Sequence, residues 1–315
     1  MKLGLVLGAG GVVGMSYHAG VLAALQREGG LDPRDADLVV GTSAGSVVGA
    51  LLRSGASAED LWDLVHDDQG NEPAAMFERR PESRAARARR LVGSTYVATR
   101  SMVKAPAPRV PGIIAKRFPA GVFGNTELRT RLAEVLPDEW PDEPLWLIAV
   151  DVQTGRRVVL RARGSTGATL HEAVLASCAI PGIYPPVKVG KRLLVDGGAH
   201  STTHLDLAAG YGCDLIIGSV PMAYDPANAP GGMMRMVRRT PTVSVAREMK
   251  AARARGASVL LLRPCAQEVK HHGSDMMRPA DVRAIAKAAY ECTARELDTP
   301  RFRRILDGSD RSSAA

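Results

Sequence analysis

Residues 41–45, with the sequence GTSAG, are the first of three segments whose residue types could carry out acyl transfer. They follow the apolar residues 38–40 and precede a helical pattern. A serine on a sharp turn between a strand and a helix needs small neighbours, so that the strained backbone fits and the hydroxyl stays accessible. Gly41 and Gly45 meet that need, and the following helix would direct its positive N-terminus at a developing negative charge. Ser43 is the candidate nucleophile, although such a motif alone is also compatible with an ordinary tight turn.

The second segment is a glycine-rich loop at residues 8–14, with the sequence GAGGVVG, between an apolar run and a helical pattern. Consecutive glycines let main-chain N–H groups approach a negative atom, which suits either an oxyanion or a phosphate. A dinucleotide-binding turn would need a glycine where Val13 stands and an acidic residue where the second strand ends in Val40 and Gly41. A nucleotide-binding oxidoreductase is therefore the weaker alternative.

The third segment is Asp196, Gly197 and Gly198, directly after the apolar residues 193–195. An aspartate at a strand end, followed by glycines, can be placed beside a serine hydroxyl and accept its proton. Asp-Gly-Gly is also a common turn sequence. Asp196 is a candidate catalytic base only because the other two segments occur in the same chain.

Together the three segments resemble the patatin-like phospholipase family, in which a glycine-rich oxyanion loop, a GxSxG serine and a DGG or DGA aspartate occur in this order. Residues 176–181, with the sequence ASCAIP, resemble the A-S-x-A-x-P stretch that precedes the aspartate in that family. The resemblance extends from about Lys2 to Ala209. It implies a three-layer α/β/α fold with a mostly parallel central sheet, a lipid or other acyl-ester substrate, and neither a metal nor an organic cofactor.

The resemblance also implies a role for individual residues. Ser43 would be the nucleophile and Asp196 the base of a Ser–Asp dyad without a catalytic histidine. Many bacterial members have Arg or Lys just before the last glycine of the loop, whereas this chain has Val13, which leaves the headgroup preference open. The main-chain amides that would form the oxyanion hole belong to Gly10, Gly11 and Val12.

Two alternatives to a hydrolase with a Ser–Asp dyad remain open, one in mechanism and one in function. One is a Ser-His-Asp triad, because several histidines follow Asp196 in the chain order of α/β-hydrolases. None has a local signature, and the pair His200 and His204 also lacks the HExxH context or nearby thiolates of a zinc site. The other is a catalytically silent lipid-binding or regulatory protein on the same fold, which the intact Ser43 and Asp196 disfavour. The histidines in question are His200, His204, His271 and His272.

The elements that must position these residues alternate between short apolar runs and helical patterns, which is typical of a parallel sheet covered by helices. The predicted strands are Leu3–Leu7, Leu38–Val40, Leu145–Val150, Val158–Leu160, Leu193–Val195, Leu215–Ile217 and Val259–Leu262. The predicted helices are Met15–Arg27, Ala44–Arg53, Ala58–Val65, Thr126–Leu136, Leu170–Ala176 and Pro279–Leu297. We expect a single catalytic domain over residues 1–307 and a disordered tail over 308–315.

Residues 66–122 differ from their surroundings, because they are rich in arginine and contain prolines in their second half. Such an insertion indicates a basic helical cap or lid. A solvated arginine-rich helix without a partner is an equally open interpretation.

The net charge of +8 predicts attraction to anionic surfaces. Aromatic residues are only 4% of the chain and do not alternate with cations as in a base-stacking surface, so nucleic acid is not expected. An acyl channel or ordinary core packing is open for five methionines, Met233, Met234, Met236, Met276 and Met277. Contact with an anionic membrane or simple solubility is open for a basic stretch that consists of Arg235, Arg238, Arg239, Arg247, Lys250, Arg253 and Arg255. The four cysteines contain no CxxC pair and predict buried free thiols. With no signal-like or spanning stretch, we expect a cytoplasmic protein, leave peripheral membrane association open, and infer no oligomeric state.

Overall fold

The computed structural model describes residues 1–66, 124–164, 167–273, 275–277 and 281–306. Within these residues, eight strands form one sheet in the order β5-β6-β3-β2-β1-β7-β8, and β4 pairs with β3. The strands are β1 (Leu3–Leu7), β2 (Leu38–Gly41), β3 (Leu145–Asp151), β4 (Arg157–Leu160), β5 (Val187–Val189), β6 (Arg192–Asp196), β7 (Leu215–Ser219) and β8 (Ser258–Leu262).

The helices of the described residues lie between and after these strands. They are α1 (Gly11–Arg27), α2 (Ala44–Arg53), α3 (Ala58–His66), α4 (Thr126–Val135), α5 (Leu170–Ser177), α6 (Leu205–Tyr211), α7 (Gly232–Arg253), α8 (Ala266–His272), α9 (Val282–Leu297) and α10 (Pro300–Leu306).

Most of the sheet is parallel, as the sequence predicts. Strands β3, β2, β1, β7 and β8 pair with one another in parallel. Strands β4 and β6 run antiparallel to β3, and β5 runs antiparallel to β6. The antiparallel edge is important for the site, because β6 ends at Asp196.

Both faces of the sheet are covered, which confirms the three-layer α/β/α expectation. Neighbouring residues of one strand contribute to two different cores, since successive side chains of a strand point to opposite faces. Leu5 and Leu7 of β1 belong to the core with α1, α2, α5 and α9. Val6, between them, belongs to the core with α6 and α7.

The first helix begins earlier than the sequence pattern indicates. The expected start is Met15, because glycines have low helix propensity, but α1 begins at Gly11. Val12 and Val13 are fully buried, and this packing outweighs the propensity of the loop. The glycine-rich loop is therefore itself the N-terminus of a helix.

Several elements were not predicted. Strand β5 has only three residues, too few for a period to be recognised, and α7 contains Pro241. The helices α6, α8 and α10 have seven residues each and are similarly short for pattern analysis. The predicted cap and tail lie outside the described residues, except for His66 at the end of α3. None of the described helices is long and apolar enough to cross a bilayer.

Candidate active site

Ser43 lies on the turn between β2 and α2, as the sequence predicts. Its backbone φ of 53° and ψ of −117° are unusual for a residue with a side chain, and such a conformation stores about 1–3 kcal/mol of strain. Ser43 is the N-cap residue of α2. The positive end of that helix therefore faces the space around the serine hydroxyl.

Close backbone packing around this turn explains why glycine occupies position 45. A Cβ atom on Gly45 would lie 2.0 Å from the carbonyl oxygen of Leu7, at the end of β1. Neither backbone can move without disturbing the sheet, because Leu7 and Gly41 are paired in the ladder of β1 and β2. The elbow thus depends on a contact that the GxSxG motif alone does not show.

The glycine-rich loop approaches the same place from β1. Gly10 is the N-cap residue of α1, and Gly11 adopts a φ of 60°, which favours glycine. The N–H groups in the first turn of a helix have no acceptor within the helix. The Val13 N–H, in contrast, donates to the carbonyl oxygen of Met276 at 3.1 Å, and the Val13 side chain is buried in the core.

Asp196 reaches the elbow along the same edge of β3 that pairs with β2, because β4 occupies the opposite edge. In the ladder of β3 with β2, Leu147 pairs with Gly41, and in the ladder with β6, Ala149 pairs with Asp196. Ser43 and Asp196 therefore meet where the C-terminal ends of β2 and β6 face each other along this edge.

Asp196 is buried, with only 4% of the residue exposed. Burial raises the pKa of Asp196 to about 6, while hydrogen bonding with the Ser43 side chain and with the Gly198 N–H acts in the opposite direction. The Gly198 N–H donates to Oδ1 at 2.7 Å. A carboxyl group in this environment is ionised at neutral pH yet is a stronger base than an exposed aspartate.

The end of α5 and the residues directly after it hold both Ser43 and Asp196 in place. The Ser177 Oγ accepts a hydrogen bond from the Ser43 N–H at 3.0 Å and donates to the Ile148 carbonyl at 2.7 Å. The Asp196 N–H donates to the Ala179 carbonyl at 2.9 Å. In the sequence, this segment is recognisable only through the family resemblance, which gives Ser177 no role of its own.

Ser43 and Asp196 open onto one cavity of about 270 Å³. Gly10, Gly11 and Gly198 also line it, so the glycine-rich loop and the DGG segment face the serine. Apolar side chains form much of the remaining wall, including Ile180, Ile183, Met222, Met276 and Met277. Of the methionines considered for an acyl channel, Met276 and Met277 line this cavity, whereas Met236 is exposed on α7.

His18 is a residue of this region that sequence analysis did not identify. It is fully buried in α1 and lies 2.7 Å from the Ser219 Oγ through Nδ1 and 2.8 Å from the Gly8 carbonyl through Nε2. Burial lowers the pKa of His18 to about 4, so the ring is neutral at neutral pH. It joins the beginning of the glycine-rich loop to the end of β7.

The histidines considered for a triad do not line this cavity within the described part of the chain. His204 is buried 3.3 Å from the Gly197 carbonyl, and burial lowers the pKa of His204 to about 3. His200 stacks on His204 with ring centroids 5.4 Å apart. His272 is 2.6 Å from the buried Arg238 guanidinium, and His271 is exposed.

Two other sequence expectations need correction. Arg238 is not one of the surface cations of α7, because it is 1% exposed and donates to the Pro221 carbonyl at 2.6 Å. Cys178 and Cys213 are buried free thiols as expected, but Cys265 and Cys292 are only partly buried.

A family model described as Patatin-like phospholipase matches residues 5–209, which include Ser43 and Asp196. Uncharacterized NTE family proteins of Mycobacterium bovis and Mycobacterium tuberculosis are each 31% identical over 198 residues, which are 62% of this chain and 26% of theirs. This chain therefore spans about a quarter of the length of these curated relatives.

Two solved structures are also similar. VipD from Legionella pneumophila has a TM-score of 0.49 and 16% identity, with 94% of this chain and 66% of VipD covered. The type III effector protein ExoU of Pseudomonas aeruginosa has a TM-score of 0.41 and 15% identity, with 94% of this chain and 53% of ExoU covered.

Proposed function

Because the chain belongs to the patatin-like phospholipase family, we propose that it is a serine acyl hydrolase that cleaves carboxylic esters of lipids. One observation carries the proposal: a serine on a strained elbow and a buried carboxylate, whose pKa the serine side chain lowers, open onto the same largely apolar cavity. Ser43 is the nucleophile and Asp196 the base of this proposal.

In the first half of the reaction, Asp196 accepts the proton of the Ser43 hydroxyl as Oγ attacks the ester carbonyl carbon. The negative charge that develops on the carbonyl oxygen is held by main-chain amides of the glycine-rich loop at the N-terminus of α1. When the tetrahedral intermediate collapses, the bond to the alcohol breaks, and Asp196 returns the proton to the departing alkoxide. The product is an acyl ester of Ser43.

In the second half, water attacks this ester and gives a proton to Asp196. The second tetrahedral intermediate collapses to the free acid, and the proton returns to Ser43. The raised pKa of Asp196 assists both halves, because proton transfer is most efficient when the pKa of the base lies near the working pH. The amides of Gly10, Gly11 and Val12 are the proposed oxyanion hole, and the Val13 amide is excluded by its bond to Met276.

The lining of the cavity supports a fatty acyl group as the part of the substrate that it receives. Ile180, Ile183 and Met222 offer apolar surface beside Ser43, and methionine adapts to chains of different shape. A phospholipid, a lysophospholipid and a simple lipid ester each present such a group. The exposed cations of α7, among them Arg235, Arg239 and Lys250, support a peripheral approach to an anionic membrane surface.

The test is hydrolysis of a chromogenic short-chain ester and of a panel of phospholipids by the wild-type protein, Ser43→Ala and Asp196→Asn. We expect turnover by the wild type and none above background by either variant, with circular dichroism unchanged. Equal rates for the wild type and Ser43→Ala would exclude the proposal and favour the silent lipid-binding alternative. Full activity of Asp196→Asn would require another base.

A further inference from the structure

Three side chains with metal-binding atoms meet beside a second cavity, which Cys265 and Cys292 line and which shares no lining residue with the Ser43 cavity. Cys265 is the N-cap residue of α8, Glu268 lies in the first turn of α8, and Cys292 belongs to α9. Their two sulfur atoms and a carboxylate oxygen all lie within 4.8 Å of one another. In a tetrahedral zinc site with bonds of about 2.0–2.3 Å, ligand atoms are separated by distances of this order.

Glu268 is fully buried, with 0% of the residue exposed. Its role in capping α8 accounts for only one of its two carboxylate oxygens. One carboxylate oxygen, Oε2, accepts the Cys265 N–H, which is the expected contact of a capping box. No N–H or O–H group of the described residues donates to the other, Oε1, and its polar neighbours are the thiols of Cys265 and Cys292. An unpaired buried carboxylate oxygen is unfavourable, and a cation between the three ligand atoms would give it a partner.

Two arginine residues lie close to the cluster formed by Cys265, Glu268 and Cys292. The Arg295 guanidinium donates to the Cys292 Sγ at 2.9 Å, and Arg263 and Arg295 both line the cavity. Two thiolates, a carboxylate and a divalent cation together carry one net negative charge. The adjacent Arg295 compensates this charge and occupies the place of an outer-shell partner, which orients a metal ligand.

We propose that Cys265, Glu268 and Cys292 bind a zinc ion, whose fourth coordination position faces the cavity. Two thiolates and one oxygen ligand favour zinc over magnesium or calcium, which prefer oxygen ligands throughout. The cavity, of about 340 Å³, has room for a water molecule or a small anionic ligand at the fourth position. Binding releases the two thiol protons, so zinc affinity rises with pH.

The zinc ion joins α8 to α9 across the segment that connects them. That segment includes Met276 and Met277, which line the Ser43 cavity, and the Met276 carbonyl accepts the Val13 N–H. Zinc therefore stabilises a wall of the first cavity without contacting the reacting groups. The role is structural, and it does not depend on the proposed hydrolase activity.

The experiment uses the untagged full chain, reduced and then freed of reductant and metal. Zinc chloride is titrated in competition with a chromogenic chelator, and bound metal is measured by mass spectrometry after gel filtration. We expect one zinc per chain, and cobalt in its place should give the thiolate charge-transfer absorption of a tetrahedral site. Cys265→Ser and Cys292→Ser should each weaken zinc binding by at least about tenfold.

Two further variants separate a metal ligand from a structural residue. Glu268→Gln keeps an oxygen that accepts the Cys265 N–H, so the capping box is retained, while zinc binding should weaken by at least about tenfold. Cys213→Ala removes a cysteine buried elsewhere and should leave zinc binding unchanged. Ser43→Ala should also bind zinc like the wild type, whatever its activity.

The proposal is wrong if the reduced wild-type chain takes up no stoichiometric zinc. It is equally wrong if the double variant Cys265→Ser/Cys292→Ser binds zinc as tightly as the wild type. A Cys265–Cys292 disulfide in the oxidised protein, with no zinc uptake after reduction, would instead identify the pair as a redox-sensitive thiol pair.

Discussion

The Ser177 hydroxyl connects the backbone of Ser43 to the backbone of Ile148 in β3, through hydrogen bonds of 3.0 Å and 2.7 Å. The Ala179 carbonyl, two residues later, accepts the Asp196 N–H at 2.9 Å. One short segment thus fixes the candidate nucleophile and the candidate base relative to the same strand. Ser177 contacts no reacting atom, so we regard it as a positioning residue.

Ser177→Ala should lower kcat by roughly tenfold to a hundredfold and leave KM nearly unchanged, because a displaced nucleophile affects the chemical step more than substrate binding. The free energy of unfolding should fall by about 1–3 kcal/mol, since the Ser43 N–H and the Ile148 carbonyl lose their buried partner. Ester hydrolysis and urea unfolding measure the two effects.

Thr242→Val is the matched control for this variant. The Thr242 Oγ1 also accepts a backbone N–H, from Tyr224 at 3.2 Å, and donates to a backbone carbonyl, of Arg238 at 2.8 Å. It is buried but does not line the Ser43 cavity. We expect a similar loss of stability with kcat retained, and an equal loss of kcat in both variants would contradict the positioning role.

The rate of ester hydrolysis should depend on pH through Asp196. Burial raises the pKa of Asp196 to about 6, and only the ionised carboxylate can accept the Ser43 proton. We expect kcat/KM to fall about tenfold per pH unit below pH 6 and to level off above it. A profile that is flat between pH 4 and pH 8, in protein shown by circular dichroism to remain folded, would refute this assignment.

Asp196→Asn should make the protein more stable at pH 8 while removing its activity. Because the folded-state pKa is raised from 3.8 to about 6, ionisation of Asp196 opposes folding as the pH rises through this interval. A shift of about two pKa units corresponds to an advantage for the neutral asparagine of up to about 3 kcal/mol above pH 6. This advantage should shrink below pH 6 and vanish below the unfolded pKa. Urea unfolding across this pH range checks it, and a difference independent of pH would contradict it.

Gly45→Ala should destabilise the protein by more than about 2 kcal/mol, because its Cβ would meet the Leu7 carbonyl oxygen at 2.0 Å. Gly210→Ala is the control, because Gly210 lies in α6 with nothing within 4 Å of a Cβ placed there. Alanine at that helical position should be neutral or stabilise by up to about 1 kcal/mol. Equal melting temperatures of the two variants would show that the elbow can relax.

Binding to anionic phospholipid vesicles should weaken as salt is added, because surface charges are screened within about 8–10 Å at physiological ionic strength. Exchange of the exposed Arg235, Arg239 and Lys250 for glutamine should reduce binding further. Exchange of Arg131, a half-buried cation of α4 that pairs with Glu127 at 3.0 Å, serves as the control. Binding that is indifferent to salt and to lipid charge would exclude electrostatic docking.

Local sequence patterns are sufficient to locate the elements around Ser43 and to predict the class of the fold. An apolar run, a GxSxG turn and a helical pattern are local features, so β2, the elbow and α2 could be located within a residue. The alternation of strands and helices likewise predicted the mostly parallel sheet. The start of α1 was misplaced, because local propensity argues against glycine in a helix while the burial of Val12 and Val13 is a tertiary effect.

The contacts between segments that are distant in the sequence are visible only in the folded chain. The antiparallel pairing of β6 with β3 brings Asp196 to the elbow, and burial by many surrounding atoms, not the DGG sequence, raises the pKa of its carboxyl group. Ser177 and His18 became identifiable as supports only through their partners, and Cys265, Glu268 and Cys292 became neighbours only through the packing of α8 with α9. Sequence patterns reflect the conformational preferences of neighbouring residues. Strand order and burial depend instead on free energies summed over the whole chain, so local patterns do not reveal them.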